Sequence, residues 1–232
     1  MSSCCHPFRF ATPDGSTCPL VIFGLFAVVL YTDAAAQARN AFGHELLDEA
    51  TEVELALSAA PVPVARGASV WVLRSNGFER VREGTNGFHC LIQRANDVKI
   101  VAPTCFDAEA SRTIMAAQLY QADLWSEGKS AEQVNTAVAA AYRNGTLRPP
   151  MRGAVGYMMS SAQFLGDGIG NWYPHMMIYA PYVNEEDVGA NLTDPKNPVH
   201  MLNPGRPDAR IVVVVPEFVN PGELVGSNPT GR

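Results

Sequence analysis

The segment SVWVLRSNGFERVREGTNGFHCLIQR, residues 69–94, decides the fold class because it combines strand-like runs with turn signals. The runs 69–74, 78–83 and 87–94 are short and rich in Val, Phe and Ile, as strands are. Asn-Gly occurs in both connections, and these residues tolerate the positive φ of tight hairpin turns. The segment therefore predicts an antiparallel three-stranded meander.

The residues before this segment predict an amphipathic helix. Apolar residues recur at three- and four-residue spacing over about 43–60, and acidic residues fill many of the other positions. Pro61 and Pro63 follow, and proline cannot continue the hydrogen-bond ladder of a helix. We therefore expect the helix to end there.

Two further helices are predicted after the meander. Asp107 is placed as the N-cap of a helix that presents one small-to-apolar face as far as Gly128. Ser130 and Gln133 then form an S-x-x-Q capping box, and the next helix stops at Gly145. These two helices are expected to form a helical hairpin.

The second half of the chain returns to strands. Residues 153–191 concentrate aromatics, methionines and glycines, and predict strands at 154–160 and 175–179 that flank the loop 163–172. A final strand is predicted at 210–215, whose unbroken apolar run is typical of a strand buried on both faces. The predicted fold class is α+β, with a largely antiparallel sheet of five or six strands and about three helices mainly on one face.

The N-terminal region contains an uninterrupted apolar run at 20–31. As a helix it would span about 18 Å, well short of the ~30 Å hydrocarbon core of a bilayer. This length favours a signal peptide, with cleavage after Ala36 or Ala38. The stretch before the run is long and carries only Arg9 and His6 as basic groups, so an uncleaved signal anchor is the alternative.

The expected organisation is a signal peptide at 1–38, a single globular domain at 41–216 and a mobile tail at 217–232. Export would place the domain in the periplasm or outside the cell, with no stable membrane span after cleavage. The formal net charge is -6 and the basic residues are scattered, whereas nucleic acids and anionic membranes bind clustered Lys and Arg. A nucleic-acid partner is therefore not expected.

Cleavage would leave two cysteines, Cys90 and Cys105. An even pair in an exported protein predicts a disulfide. One alternative is a metal site that adds His89, Asp107 and His175, and another is a reactive Cys105 thiol at a helix N-terminus. Zinc sites usually show ligands at short spacing such as C-x-x-C, which this chain lacks, so no metal is predicted.

The glycine run at 166–171, GDGIGN, is predicted to be a connection between strands. A dinucleotide site needs G-x-G-x-x-G at the opening of a helix, and a calcium-binding EF-hand needs Glu at its twelfth position. Neither pattern is present, and no cofactor is predicted.

The candidate ligand-binding residues are Trp172, Tyr173, His175, Tyr179 and Tyr182. Aromatic side chains form apolar walls, while tyrosine hydroxyls and a histidine can orient a ligand. This pattern predicts a semi-apolar site near His175 for a small molecule or an envelope partner. The alternative is that the same residues fill the core of a structural protein with no small-molecule site.

A hydrolase is the other alternative, with His175 as general base and Asp107 or Glu109 as its acidic partner. Ser160 or Ser161 would be the nucleophile. These serines lie in M-M-S-S-A and not in the G-x-S-x-G of a nucleophile elbow, so the hypothesis depends on geometry.

Several blocks resemble a group of uncharacterised exported bacterial proteins with no established activity. The blocks are LSAAP (57–61), VWVLRSNGF (70–78), EGTNGFHCLIQR (83–94), CFDAEAS (105–111) and GYMMSSAQFLGDGIGNWYPHMMIYAPY (156–182). The resemblance covers about 54–215 and implies a bacterial exported protein. It implies no activity and no roles for individual residues.

Overall fold

The computed structural model describes residues 38–191, 196, 197 and 199–223. All of them belong to one compact unit, Ala36–Arg232, with α+β architecture. The α+β class and the single domain are confirmed, although the described residues form eight strands and five helices and so exceed the predicted numbers. The predicted signal peptide, apart from Ala38, lies outside the described residues.

The helices and strands have the following bounds. The strands are β1 (Ser69–Arg74), β2 (Gly77–Arg82), β3 (His89–Gln93), β4 (Ala102–Phe106), β5 (Val155–Met158), β6 (His175–Tyr179), β7 (His200–Leu202) and β8 (Arg210–Val214). The helices are α1 (Glu49–Leu57), α2 (Val62–Arg66), α3 (Ala108–Ser126), α4 (Ala131–Asn144) and α5 (Glu185–Val188). None of the helices in this described part is long and apolar enough to cross a membrane.

The eight strands form one sheet in the order β2-β1-β3-β4-β5-β6-β8-β7. Neighbouring strands are antiparallel except β1 and β3, which are parallel. The sheet is therefore mixed but largely antiparallel.

The predicted meander is corrected by the position of β3. The β1–β2 hairpin is present, but β3 lies on the other side of β1 and runs parallel to it. The connection from β2 to β3 crosses the start of β1, where the Gly84 N–H donates to Ser69 Oγ at 2.9 Å. A Cβ atom on Gly84 would lie 2.2 Å from Ser69 N, so the crossing requires glycine.

The sequence pattern does not predict β4 and β7. β4 contains Pro103, and proline is rare in central strands because it lacks an N–H. The β4–β5 register covers only Cys105 and Phe106, so Pro103 lies beyond that pairing and removes no hydrogen bond from it. β7 has three residues, too few to show strand alternation.

The helices lie on both faces of the sheet, which corrects the prediction of one covered face. Along β3, Cys90 and Ile92 pack in a core with α1 and α2, whereas Leu91 packs in a core with α3. Because successive side chains of a strand point to opposite faces, these two cores lie on opposite sides. We name the sides the α1 face and the α3 face.

The first predicted helix is shorter than expected. α1 begins at Glu49, because the preceding residues form a turn in which the Asn40 side chain accepts the His44 N–H at 2.9 Å. α1 ends before Pro61, as predicted. Pro61 is the N-cap of α2 and Pro63 is its second residue, and at both positions a missing N–H costs no intrahelical hydrogen bond.

The predicted caps of α3 and α4 are confirmed. The Asp107 side chain accepts the backbone N–H groups that open α3. Ser130 and Gln133 form the capping box of α4, and Gly145 ends that helix in the left-handed conformation with φ 82°. The two helices pack against each other as a helical hairpin.

The predicted disulfide is present. Cys90 and Cys105 face each other across β3 and β4 with their Cα atoms 4.0 Å apart. Both are fully buried on the α1 face, and Cys105 Sγ lies 3.7 Å from the Ala56 carbonyl oxygen of α1. The bond therefore lies within the core beneath α1.

The C-terminal part of the fold differs from the prediction in two ways. Val213 and Val214 of β8 are 39% and 43% exposed, because β7 pairs only with the first residues of that strand. Val219 lies beyond the predicted domain end at 216, yet it is buried and its N–H donates to the Met159 carbonyl at 2.8 Å. The folded domain therefore includes the first part of the predicted tail, while residues 224–232 lie outside the described residues.

Candidate ligand-binding site

A cavity of about 500 Å³ lies on the α3 face, between α3 and the strands from β3 to β8. Its lining is mainly apolar and comes from the strands and from the loop before β6. The apolar lining residues are Ala95, Ile100, Ala102, Met158, Leu165, Ile169, Trp172, Met177, Leu202 and Val212. This volume lies within the range of small-molecule sites in proteins.

The polar groups of the cavity are amides, histidines and arginines. They are Gln93, Arg94, Asn96, Gln118, Gln121, His175, His200 and Arg210. Among the described residues that line the cavity there is no Asp or Glu. The lining therefore differs in charge balance from the chain as a whole, whose net charge is negative.

His175 begins β6 and lies in the cavity wall with 2% of its surface exposed. Its Nδ1 lies 2.8 Å from the Tyr173 carbonyl oxygen, which can only accept a hydrogen bond, so Nδ1 carries the proton. Burial lowers the pKa of His175 and favours the neutral ring. Nε2 is then an acceptor for a ligand hydroxyl or amide N–H.

Trp172 connects the loop before β6 to both cavity histidines. Its ring centroid lies 4.9 Å from that of His175 and 6.1 Å from that of His200, in edge-to-face geometry. Gln163 fixes this part of the loop, because its Nε2 donates to the Trp172 carbonyl at 2.8 Å. The indole is thus held in place as part of the wall.

Arg210 begins β8 and combines an ion pair with an unpaired donor. Its Nη1 lies 3.5 Å from Asp208 Oδ2, and Asp208 also pairs with Arg206 at 3.3 Å. The buried Nε of Arg210 has no hydrogen-bond partner among the described residues. A buried N–H without a partner costs free energy, so a ligand oxygen at this position would be stabilised.

A second cavity of about 690 Å³ adjoins the first, because Gln118 and Gln121 of α3 line both. Asp208 lines the second cavity, while its partner Arg210 lines the first. Gln118 Oε1 is buried and, within the described part of the chain, has no hydrogen-bond partner. Among the described residues, an acceptor without a partner therefore lies where the cavities meet, and a donor without a partner belongs to the first cavity.

The structure places two of the five predicted ligand-binding residues, Trp172 and His175, in the first cavity. Tyr173 is 64% exposed and packs against Trp172. Tyr179 is buried in the core beneath α3, and Tyr182 lines the second cavity with a positive φ of 63°. The three tyrosines thus have different environments and do not form one surface with His175.

The proposed acidic partners of His175 lie elsewhere in the sheet. The Asp107 side chain accepts the Val155 N–H at 2.9 Å, and the partner of Val155 on β6 is Ile178. Asp107 is therefore about 10 Å from His175 along the strand direction and about 10 Å across the sheet. This separation is too large for a hydrogen bond between the two side chains.

Glu109 is held by a separate group of donors. It accepts hydrogen bonds from Arg148 at 3.0 Å, from Arg112 at 3.1 Å and from the Met151 N–H at 3.2 Å. The hydrogen bond from Arg148 is the main reason why the pKa of Glu109 is lowered. Its contacts are those of a structural carboxylate that fixes the chain before β5.

The two candidate nucleophiles also lie away from the cavity lining. Ser160 is fully buried, and its Oγ lies 2.6 Å from the Oγ of Ser58, the residue that follows α1. The same Oγ accepts the Ala162 N–H at 3.2 Å. Neither Ser160 nor Ser161 lines the cavity that contains His175.

No group of three or more His, Cys, Asp or Glu residues that could hold a metal ion occurs in the part of the chain that the structure describes. The glycine run connects β5 and β6, as predicted, and it supplies Ile169 to the cavity. Gly166 and Gly170 have φ values of 96° and 66°, which side chains rarely adopt.

Sequence reasoning missed Arg210, Gln118 and Gln121. The two glutamines are three residues apart and so share one face of α3, beside the apolar residues Ile114 and Ala117. That spacing could have predicted a polar patch on the face of α3 that covers the sheet. Arg210 is the first residue of an apolar strand, and a charged residue at that position is usually solvated. The sequence around Arg210 therefore gives no sign that its side chain lines a cavity.

Comparisons with protein-family models, with curated proteins and with solved structures found no match to this chain. Functional inference therefore depends on the geometry and chemistry of the cavity.

Proposed function

We propose that this chain is an exported bacterial domain that binds a small molecule in the cavity beside His175. The observation that carries the proposal is the cavity itself, about 500 Å³ in volume, with a mainly apolar lining and a few polar groups. Ligand sites generally combine these properties, because apolar walls supply affinity while polar groups fix orientation.

The hydrogen-bonding state of the lining supports a binding role. His175 Nε2 is an acceptor, and the donor Arg210 Nε and the acceptor Gln118 Oε1 have no partner among the residues that the structure describes. Buried polar groups in folded proteins are nearly always paired, so unpaired groups at a cavity favour a polar ligand over a dry packing defect.

The compartment is part of the proposal. The apolar run at 20–31 supports export, and the Cys90–Cys105 disulfide supports an oxidising compartment, where such bonds persist. The resemblance to exported bacterial proteins over about 54–215 supports the bacterial origin.

The test is a thermal-unfolding screen of the purified domain against a small-molecule library, followed by a cavity-filling variant. Val212 is 2% exposed and lines the cavity, whereas Val213 is 39% exposed and points to the opposite face. Val212→Phe should abolish the rise in Tm that a binding compound causes, because the ring occupies ligand space. Val213→Phe is the matched control and should retain that rise.

Two results would contradict the proposal. One is a library in which no compound raises the Tm of the wild-type domain. The other is a compound that stabilises the wild type and Val212→Phe equally, since that compound would bind elsewhere.

A further inference from the structure

We infer that the ligand is an amphiphilic carboxylic acid, whose carboxylate contacts Arg210 and whose aliphatic body packs against Met158, Met177 and Val212. The inference rests on the proposed function and adds the chemical class of the ligand. The charge and hydrogen bonding of Arg210 and the composition of the apolar wall support it.

The charge balance of the cavity favours a single negative charge on the ligand. Arg94 is compensated, because its Nη2 lies 3.1 Å from the buried Glu52 carboxylate. Asp208 pairs with both Arg206 and Arg210, so Arg210 shares its counter-charge with a second guanidinium and is compensated only in part. The described residues that line the cavity contribute no carboxylate that would repel an acid.

The hydrogen-bonding capacity of Arg210 favours an oxygen acceptor. Its Nη1 is engaged with the backbone carbonyl and the carboxylate of Asp208. Its Nε–H is buried and has no partner among the residues that the structure describes. A carboxylate is the strongest common acceptor for a guanidinium N–H, because both groups are charged.

The positions of the polar and apolar groups define the orientation of the carboxylate and the alkyl chain in the cavity. Gln118 and Gln121 line both cavities, while Arg210 lines the first and its ion-pair partner Asp208 lines the second. Met158 and Met177 pack with Val212 in a separate apolar core, with Leu165 and Trp172 at its edge. An acid with its carboxylate at Arg210 would therefore direct its chain along this apolar core.

The apolar core is better suited to an alkyl chain than to a rigid ring system. Met158, Met177 and Val212 are flexible or small aliphatic side chains, and methionine adapts readily to irregular shapes. Each methylene group buried there would add favourable free energy of transfer from water. A chain of about ten carbons is therefore a suitable probe.

The experiment is calorimetric titration of the folded domain with decanoate, decan-1-ol and decyltrimethylammonium, all below the concentrations at which they form micelles. The three probes share one alkyl chain and differ in head group. Decanoate should bind at least about tenfold more tightly than the alcohol, because it adds a charge-assisted hydrogen bond. The cation should bind least tightly.

Arg210→Gln should lower decanoate affinity roughly tenfold to a hundredfold and leave decan-1-ol affinity nearly unchanged. Arg206→Gln is the matched control, because it removes the other guanidinium at Asp208 from an exposed position. Its effect should stay below about threefold, since an exposed charge is screened. Arg210→Lys keeps the charge without the Nε–H, and it should lower the preference for acid over alcohol at least threefold.

Equal binding of acid and alcohol, preference for the cation, or no binding of any probe would overturn the inference. Equal loss of acid and alcohol binding in Arg210→Gln would also overturn it. If Arg210→Gln does not fold, Arg210→Lys provides the test. The inference is then overturned if Arg210→Lys prefers decanoate over decan-1-ol as strongly as the wild type does. The proposed function is judged separately by the Val212→Phe and Val213→Phe pair, so either statement can fail alone.

Discussion

Glu52 of α1 and Arg94, which follows β3, form an ion pair at 3.1 Å in which the two side chains are 1% and 3% exposed. Glu52 also accepts the Leu73 N–H of β1 at 3.3 Å. Arg94 lines the cavity on the α3 face, so the pair connects the helix on one face to the candidate site on the other.

Glu52→Gln is expected to destabilise the domain by about 3–5 kcal/mol, because Arg94 would remain buried without its counter-charge. The measurement is the free energy of unfolding in urea. Glu54→Gln, at an exposed position of the same helix, is the control and should change it by less than about 0.5 kcal/mol. A small change in the free energy of unfolding for Glu52→Gln would mean that water enters through the cavity and solvates the charge of Arg94.

Loss of the Cys90–Cys105 disulfide should lower the free energy of unfolding by about 3 kcal/mol in the chain-entropy model, since the cysteines are 15 residues apart in the sequence. Thermal unfolding with and without reductant tests this, and Cys90→Ala with Cys105→Ala tests it without reductant. Mass spectrometry should detect the mass of two hydrogens on reduction. Two free thiols in the purified protein would contradict the structure.

The domain should lose stability as the pH falls below about 6.5, the ordinary pKa of histidine. Burial lowers the pKa of His44, His89 and His175 in the folded state. The unfolded chain then binds more protons than the folded chain, so acid favours unfolding. Burial also raises the pKa of Glu52, and this shift makes the folded state more stable in acid, which opposes the effect of the histidines. The effect of one histidine is therefore measured by comparing the wild type with a variant of that histidine.

That comparison is the Tm of wild type and His44→Gln between pH 7.5 and 5. His44 is fully buried, and its Nε2 donates to the Ala95 carbonyl at 2.7 Å, a bond that glutamine can replace. The variant should show a smaller fall in Tm across this range. Parallel curves for the two proteins would exclude a contribution from His44.

If the chain is exported as proposed, the mature protein should begin at Gln37, after cleavage at Ala36. The Leu46 N–H donates to the Ala38 carbonyl at 2.8 Å, and the adjacent Arg39 pairs with Glu45 in a short bridge. Cleavage after Ala38 would remove this carbonyl. N-terminal sequencing of the exported protein decides between the sites, and a first residue of Arg39 would show that the bond is dispensable.

His175→Ala should weaken binding of the cavity ligand about threefold to tenfold through loss of one hydrogen bond, and it should abolish no hydrolytic activity. The reason is that Asp107 and Glu109 are engaged elsewhere. A panel of esters, amides and glycans provides the assay, with His89→Ala, at a position outside the lining of this cavity, as control. Turnover by the wild type that disappears in a folded His175→Ala protein would favour the hydrolase and contradict the binding proposal.

Local signals in the sequence predicted the local structure well. The Ser130–Gln133 capping box and Gly145 defined α4 because caps depend on a few adjacent residues. The strand at His175–Tyr179 was predicted with its observed bounds. The disulfide followed from the cysteine count and the expected compartment.

The arrangement of the strands was less predictable, because it depends on contacts distant in sequence. Hairpin turns favour neighbouring strands, yet the loop at Gly84 crosses β1 and places β3 beyond it. No local signal distinguishes such a crossing from a plain hairpin. The division of the helices between two faces has the same cause, since it follows from which strands each helix covers.

The candidate site was predicted only in part for a related reason. Trp172 and His175 stood out as a polar group among aromatics, and both line the cavity. Arg210 reaches the same cavity from another strand, so its role depends on strand order. The tyrosines were grouped by proximity in sequence, although alternation and the loop after β6 direct them to separate environments.

The disulfide also has a consequence for the cavity on the opposite face. Cys90 and Cys105 are directly opposed, and three pairs further along the same two strands Gln93 faces Ala102, both of which line the cavity. A slip of one residue between β3 and β4 would rotate every side chain of one strand to the wrong face. The covalent link forbids that slip, so it preserves the shape of a candidate site that it does not touch.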